Sequence, residues 1–106
     1  MGKRIYANAV VYEHPKSLAD LMGPAVGTFE LPRTLYWGPE STVDLADPVD
    51  VQRMYQAVVR IGTAAEQTRW LNGRVLIGVW SNLVLPRRCA GEWESRFPEL
   101  RATSNP

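Results

Sequence analysis

The sequence predicts a mainly α-helical protein: a small cluster of three to four helices at about residues 47–98, preceded by an extended arm with one or two short strands. Three observations predict this fold. Apolar residues recur at helical spacing beyond residue 47, capping residues precede the helical runs, and proline, glycine and short β-branched segments dominate the first part of the chain. We therefore divide the 106 residues into an arm and connector (1–46), a helical domain (47–98) and a flexible tail (99–106).

The arm has short segments of regular structure separated by breakers. Residues 5–12 and 28–31 are rich in β-branched and aromatic side chains, which indicates two short strands, and residues 42–45 could add a third extended piece. Ser17 is a plausible N-cap for one turn of helix. The connector contains Tyr36 and Trp37, and aromatic residues in such a segment usually pack on a core or on a partner.

The helical domain opens with two well-marked helix starts. Asp47 is an N-cap and is followed by Pro48 at the first helical position. This first helix should end at Gly62. Thr63 can then form a capping box with Glu66, and the second helix should run to about residue 71.

A third and a fourth helix are predicted from their apolar residues. After a turn at residues 72–73, a third helix that is apolar nearly all round should lie at the centre of the cluster. Pro86 opens a fourth helix, in which Cys89, Trp93 and Phe97 share one face. Pro98 should close it, and we expect a frayed tail from residue 101 onward.

Composition narrows the class of protein. Hydrophobic residues make up 45% and charged residues 22%, as in globular chains. A single cysteine rules out an intrachain disulfide, so we expect a reducing, cytoplasmic location. The chain has no run of about 18 apolar residues, and we therefore expect no membrane-spanning helix.

The residues that would support catalysis or metal binding are scarce. His14 is the one histidine, and we expect it to be a solvated loop residue; Cys89 lies on an apolar stripe and should be a buried structural thiol. One His and one Cys cannot form a zinc tetrad, and Asp44, Asp47 and Asp50 fit helix capping better than calcium binding. We therefore expect neither enzymatic activity nor a metal or other cofactor.

Binding to another macromolecule is the class of function that remains, and several kinds of partner stay open. Residues 51–106 contain eight arginines and four glutamates, so DNA contact through arginines is one alternative, with residues 74–84 as a reading helix. Four tryptophans in a small chain favour a protein interface instead. In that case the arm either wraps around a partner or packs on its own helices. Self-association is a further alternative.

An ordered set of motifs resembles a known group of proteins. Residues 33–39 (RTLYWGP), 43–51 (VDLADPVDV), 55–63 (YQAVVRIGT) and 80–86 (WSNLVLP) are followed by Trp93. This order resembles short bacterial proteins encoded beside AbiEii-type nucleotidyltransferase toxins in toxin–antitoxin loci. The resemblance covers about 60% of the chain. Ile61 departs from it, since the group has an acidic residue before the glycine and threonine, and residues 1–31 have no counterpart in it.

The resemblance implies an antitoxin, which would bind its cognate toxin and block the toxin's active site by direct contact. The alternative function is a small DNA-binding transcriptional regulator. Of the contact residues that the motifs imply, Gly62, Thr63 and Trp93 also have structural explanations. The full implied set is Tyr36, Trp37, Arg60, Gly62, Thr63, Arg87, Arg88 and Trp93.

Overall fold

The computed structural model of the chain describes residues 12–33, 35 and 42–104, with side chains up to residue 101. The prediction of a mainly helical fold with short strands before the helices is confirmed. The described elements, in chain order, are a 3-10 helix Leu18–Asp20, strands β1 Thr28–Glu30 and β2 Thr42–Asp44, helices α1 Pro48–Ile61, α2 Ala64–Trp70 and α3 Gly73–Val79, a 3-10 helix Trp80–Asn82, and helices α4 Arg87–Arg96 and α5 Pro98–Ser104.

Helix α1 begins and ends as its sequence predicts. The Asp47 side chain accepts a hydrogen bond from the backbone N–H of Val49, and Pro48 occupies the first helical position, where a missing N–H costs nothing. Asp50 connects α1 to strand β2, because its carboxylate accepts a hydrogen bond from the backbone N–H of Asp44 at 3.0 Å. The apolar face of α1 is buried, and these residues are Val51, Met54, Tyr55, Val58 and Val59.

Helices α2 and α3 are each seven residues long, and both depend on side-chain caps. Thr63 and Glu66 form the predicted capping box at the start of α2. Asn72 does more than form a turn, because its side chain accepts from the first backbone N–H groups of α3. The predicted third helix is shorter than expected and changes to a 3-10 turn at Trp80. Only one face of this segment is covered, and Val84 beyond it is 72% exposed.

The end of the chain differs from the prediction. Helix α4 carries Cys89 and Trp93 on its buried face, and Phe97 follows, as the spacing predicts. The frayed tail, however, is wrong for the described residues, because Pro98 opens helix α5, which continues to residue 104. The physical reason is Leu100, which is fully buried and joins α5 to the core.

The described part of the arm packs on the helices. Strands β1 and β2 pair antiparallel, with Phe29 opposite Val43. The Phe29 ring lies 5.1 Å from the ring of Trp70 on α2. Leucines and a valine of the arm join the same buried cluster as the helices, namely Leu18, Leu21, Leu31, Leu35 and Val43. The strand predicted at residues 5–12 lies outside the described residues except for its last position.

One short segment of the arm is fixed to the end of α2. The backbone N–H of Met22 donates to the carbonyl of Thr68, and that of Gly23 donates to Leu71 at 2.7 Å. A Cβ atom on Gly23 would lie 2.5 Å from the backbone of Trp70, which is closer than packing allows. Glycine is therefore required here for close approach of two backbones.

Candidate partner-binding surface

The contact residues implied by the sequence fall in two neighbouring places. The corner between α1 and α2 carries one group, and the first turn of α4 carries the other, with a tryptophan further along α4. Tyr36 and Trp37 lie outside the described residues. The remaining residues are Arg60, Gly62 and Thr63 at the corner and Arg87, Arg88 and Trp93 on α4.

At the corner, two of the three residues have structural roles. Gly62 ends α1 by donating its N–H to the carbonyl of Val58, and a Cβ on this glycine would lie 2.6 Å from that oxygen. Thr63 is the N-cap of α2 and bonds to the backbone of Glu66. Arg60 remains as the exposed charged group of the corner.

Trp93 belongs to the core. Its side chain is fully buried and lies between the rings of Trp80, Phe97 and His14, at centroid distances of 6.1, 5.6 and 5.5 Å. The burial agrees with the packing role that the sequence also suggested for Trp93. In this conformation the indole offers no surface to a partner.

Residues 12–15, here called the strap, connect the corner to α4. The carboxylate of Glu13 accepts a hydrogen bond from the backbone N–H of Ala64 at 2.8 Å. The side-chain amide of Gln67 donates to the backbone carbonyl of Glu13 at 2.9 Å. On the other side, the guanidinium of Arg88 lies 5.3 Å from the centre of the Tyr12 ring, within cation–π range.

His14 is not the solvated loop residue that the sequence predicts. Its side chain is 7% exposed, because it packs against Trp93, and its Nε2 lies 3.6 Å from a carboxylate oxygen of Glu92. Burial lowers the pKa of His14, the positive charge of Arg96 lowers it further, and Glu92 acts in the opposite direction. The environment of the strap thus favours the neutral form of the imidazole.

Cys89 is buried, as predicted, and the charges of Arg60 and Arg88 both act on its thiol. Burial raises the pKa of the Cys89 thiol to about 11, and Glu92 adds to the rise. Arg60 and Arg88 both act against this rise. The charges of both arginines therefore act on the same sulfur atom, and the strap contacts both the start of α2 and Arg88 of α4.

Three arginines are exposed in this part of the molecule, and we call Arg60, Arg88 and Arg96 the arginine surface. Arg88 lies against Tyr12 of the strap, the charge of Arg96 acts on His14 of the strap, and the charge of Arg60 acts on Cys89. Arg88 forms an ion pair with Glu92 at 3.1 Å. Within the described part of the chain, neither Arg60 nor Arg96 forms an ion pair. Arg87 is exposed in the same turn as Arg88. Guanidinium groups that are not neutralised locally can bind carboxylates or phosphates in bidentate fashion.

Analysis of the sequence missed the strap and its receptor. Tyr12 and Glu13 were not singled out, and neither was Gln67, which is fully buried in α2. One local signal existed for Gln67. It stands four residues before Leu71 and three before Trp70, so it shares the inward face of α2 with apolar neighbours.

The predicted reading helix offers few polar side chains to DNA. Helix α3 exposes Arg74 and Gly78, whereas Val75, Ile77 and Val79 are partly buried. Sequence-specific readout needs several polar side chains at the base edges. Over the predicted reading segment, residues 74–84, the exposed polar side chains are Arg74 on α3 and Ser81 and Asn82 in the 3-10 helix that follows it.

Three further findings concern metal binding, membrane spanning and relatives of the chain. In the ranges 12–33 and 42–101 and at residue 35, no three His, Cys, Asp or Glu side chains come together in a way that could hold a metal ion. None of the described helices is long and apolar enough to span a membrane. No family model, curated protein or solved structure matches the chain.

Proposed function

We propose that this protein is an antitoxin that binds a nucleotidyltransferase-type toxin and neutralises it by direct contact. The observation that carries the proposal is the arginine surface. Arg60 belongs to one motif of the toxin-linked resemblance, and Arg88 lies just beyond another, the one that ends at Pro86. Both arginines are exposed, and both act electrostatically against the raised pKa of the same buried thiol, Cys89. Two positions that are 28 residues apart in the sequence thus each carry an exposed arginine whose charge acts on Cys89.

From the chemistry of this surface we expect the partner to present an acidic surface to it. Arginine is enriched at interface hot spots and binds carboxylates with two parallel hydrogen bonds. A cluster of guanidinium groups also attracts an acidic surface before contact and so raises the association rate. We therefore expect the toxin to present carboxylate side chains, and we expect binding to weaken as salt screens the attraction.

Co-expression with the toxin encoded beside it tests the proposal. We expect the two proteins to co-purify and the antitoxin to restore growth. Replacing Arg60→Glu and Arg96→Glu together, both on the arginine surface, should slow association several-fold at low salt. Arg74→Glu is the matched control, because Arg74 is also exposed but lies on α3. Failure to co-purify and to rescue growth, or an equal loss with the control, would contradict the proposal.

A DNA-binding regulator is the second candidate, supported by the exposed Arg69 and Arg74 on either side of the junction between α2 and α3. A mobility-shift assay on the upstream DNA, run across a salt series, separates the two functions. Sequence-dependent binding at moderate salt that is lost in Arg74→Glu would favour the regulator. Retention of the shift by that variant would exclude α3 as the reading helix.

A further inference from the structure

We propose that the surface beneath the strap, formed by Ala64 and Gln67 of α2 and Arg88 of α4, is a groove for an extended peptide in which an aromatic residue precedes an acidic one. The chain's own Tyr12 and Glu13 occupy this groove in cis. The natural ligand would be a segment of a partner protein that has the same aromatic–acidic pair. The inference does not depend on whether that partner is a toxin.

The first argument is the nature of the contacts that hold the strap. A carboxylate accepts from the Ala64 N–H, a backbone carbonyl accepts from the Gln67 amide, and an aromatic ring lies against the Arg88 guanidinium. The first two bonds join residues 51 and 54 positions apart. An unconnected peptide can supply all three groups, since none depends on a short covalent link to the groove.

The second argument is that the strap fits the groove incompletely. The Oε1 atom of Gln67 is buried without a hydrogen bond, although its Nε2 donates twice. The Nε1 atom of Trp93 is also buried without a hydrogen bond, and so is the Nε2 atom of His14, although it lies 3.6 Å from Glu92. A buried polar atom without a partner is unfavourable. A peptide that directs a backbone N–H to Gln67 Oε1, or that lacks the histidine, would avoid part of this cost.

The third argument is charge. Arg60 and Arg96 are both exposed, and their positive charges act on Cys89 and on His14 of the strap respectively. The strap itself supplies one carboxylate, that of Glu13. A partner segment with further acidic residues would therefore gain attraction that the strap does not provide.

Competition by the strap should lower the apparent affinity for an external peptide. A groove that is open in about one molecule in ten binds its ligand about tenfold more weakly than a fully open one. Weakening the strap should therefore increase peptide binding, even though it removes favourable contacts from the protein. This direction distinguishes a groove from a segment that only stabilises the fold.

The test uses the full chain and a fluorescent peptide of residues 10–17 (VVYEHPKS). The double variant Tyr12→Ala, Glu13→Gln should bind this peptide about tenfold more tightly than the unaltered chain, as measured by fluorescence anisotropy. A peptide with alanine for the tyrosine and glutamine for the glutamate should bind neither protein. Adding Arg88→Ala to the double variant should abolish the gain, whereas adding Arg74→Ala should not.

Circular dichroism verifies that each variant is folded, and Glu13→Gln alone serves if the double variant is not. Equal binding of the two peptides would overturn the proposal, as would absence of binding to every folded strap variant. Light scattering tests whether the ligand is instead a second copy of this chain. A dimer of the unaltered chain that the peptide dissociates would mean that a second copy, not a different partner, supplies the segment.

Discussion

The hydroxyl of Tyr55 makes a bond whose loss can be measured cleanly. Tyr55 lies on α1 and is fully buried, and its oxygen accepts a hydrogen bond from the backbone N–H of Asn72 at 3.0 Å. Asn72 is the N-cap of α3. The substitution Tyr55→Phe keeps the ring and its packing but leaves a half-buried N–H unpaired.

The expected loss of stability follows from this geometry. A typical hydrogen bond contributes about 1 kcal/mol net, and an unsatisfied buried donor raises the cost to about 1–3 kcal/mol. A loss of about 2 kcal/mol lowers the urea midpoint by about 1 M, given the urea dependence typical of small proteins. The melting temperature should fall by about 4 °C for each kcal/mol.

Urea denaturation followed by tryptophan fluorescence is the appropriate assay. Tyr12→Phe is the matched control, because the Tyr12 ring is partly exposed and contacts Arg88 through its face. This control should stay within about 0.5 kcal/mol of the unaltered protein. If Tyr55→Phe has the same midpoint as the control, the bond to Asn72 does not hold α1 against α3 and the reasoning is refuted.

Three further predictions concern helix α5 and two of the buried titratable groups, His14 and Cys89. Leu100→Ala should lower the free energy of unfolding by about 2–5 kcal/mol, as measured by urea denaturation. The exposed Glu99→Ala should lower it by less than about 0.5 kcal/mol. Equal losses would mean that α5 is a frayed tail. Because burial lowers the pKa of His14 in the folded state, the unfolded chain takes up a proton first as pH falls below about 6.5. Urea midpoints should therefore decline below this pH, and less so in His14→Gln. Cys89, with a pKa of about 11, should react with a thiol reagent at pH 8 about a hundredfold more slowly than in the urea-unfolded chain.

The parts of the fold that the sequence predicted well are those fixed by neighbours along the chain. Asp47 bonds two residues ahead to Val49, and Thr63 bonds three residues ahead to Glu66. Such caps depend on residues within a single helical turn, so their pattern is visible in the sequence. For this reason the starts of α1 and α2 could be predicted from the sequence.

The missed features depend on residues that are distant in the sequence. Leu100 is buried because α5 packs on α3 and α4, and nothing within residues 98–104 reports that contact. His14 is buried by Trp93 on α4. The bond between Gln67 and Glu13 spans 54 positions. For the candidate surface, the sequence pointed to Arg60, Arg87 and Arg88, but it identified neither Arg96 nor the strap.

The attachment of Met22 and Gly23 to the end of α2 also affects how the chain folds. Helices of seven residues are too short to persist alone in water. Helices α2 and α3 therefore have to wait for a segment that lies almost 50 residues earlier, and closing so long a loop costs entropy. Folding speed should be limited by this closure and not by helix formation, so the chain should fold more slowly than other helical proteins of its size. During synthesis, the early segment would stay unpaired until α2 has left the ribosome.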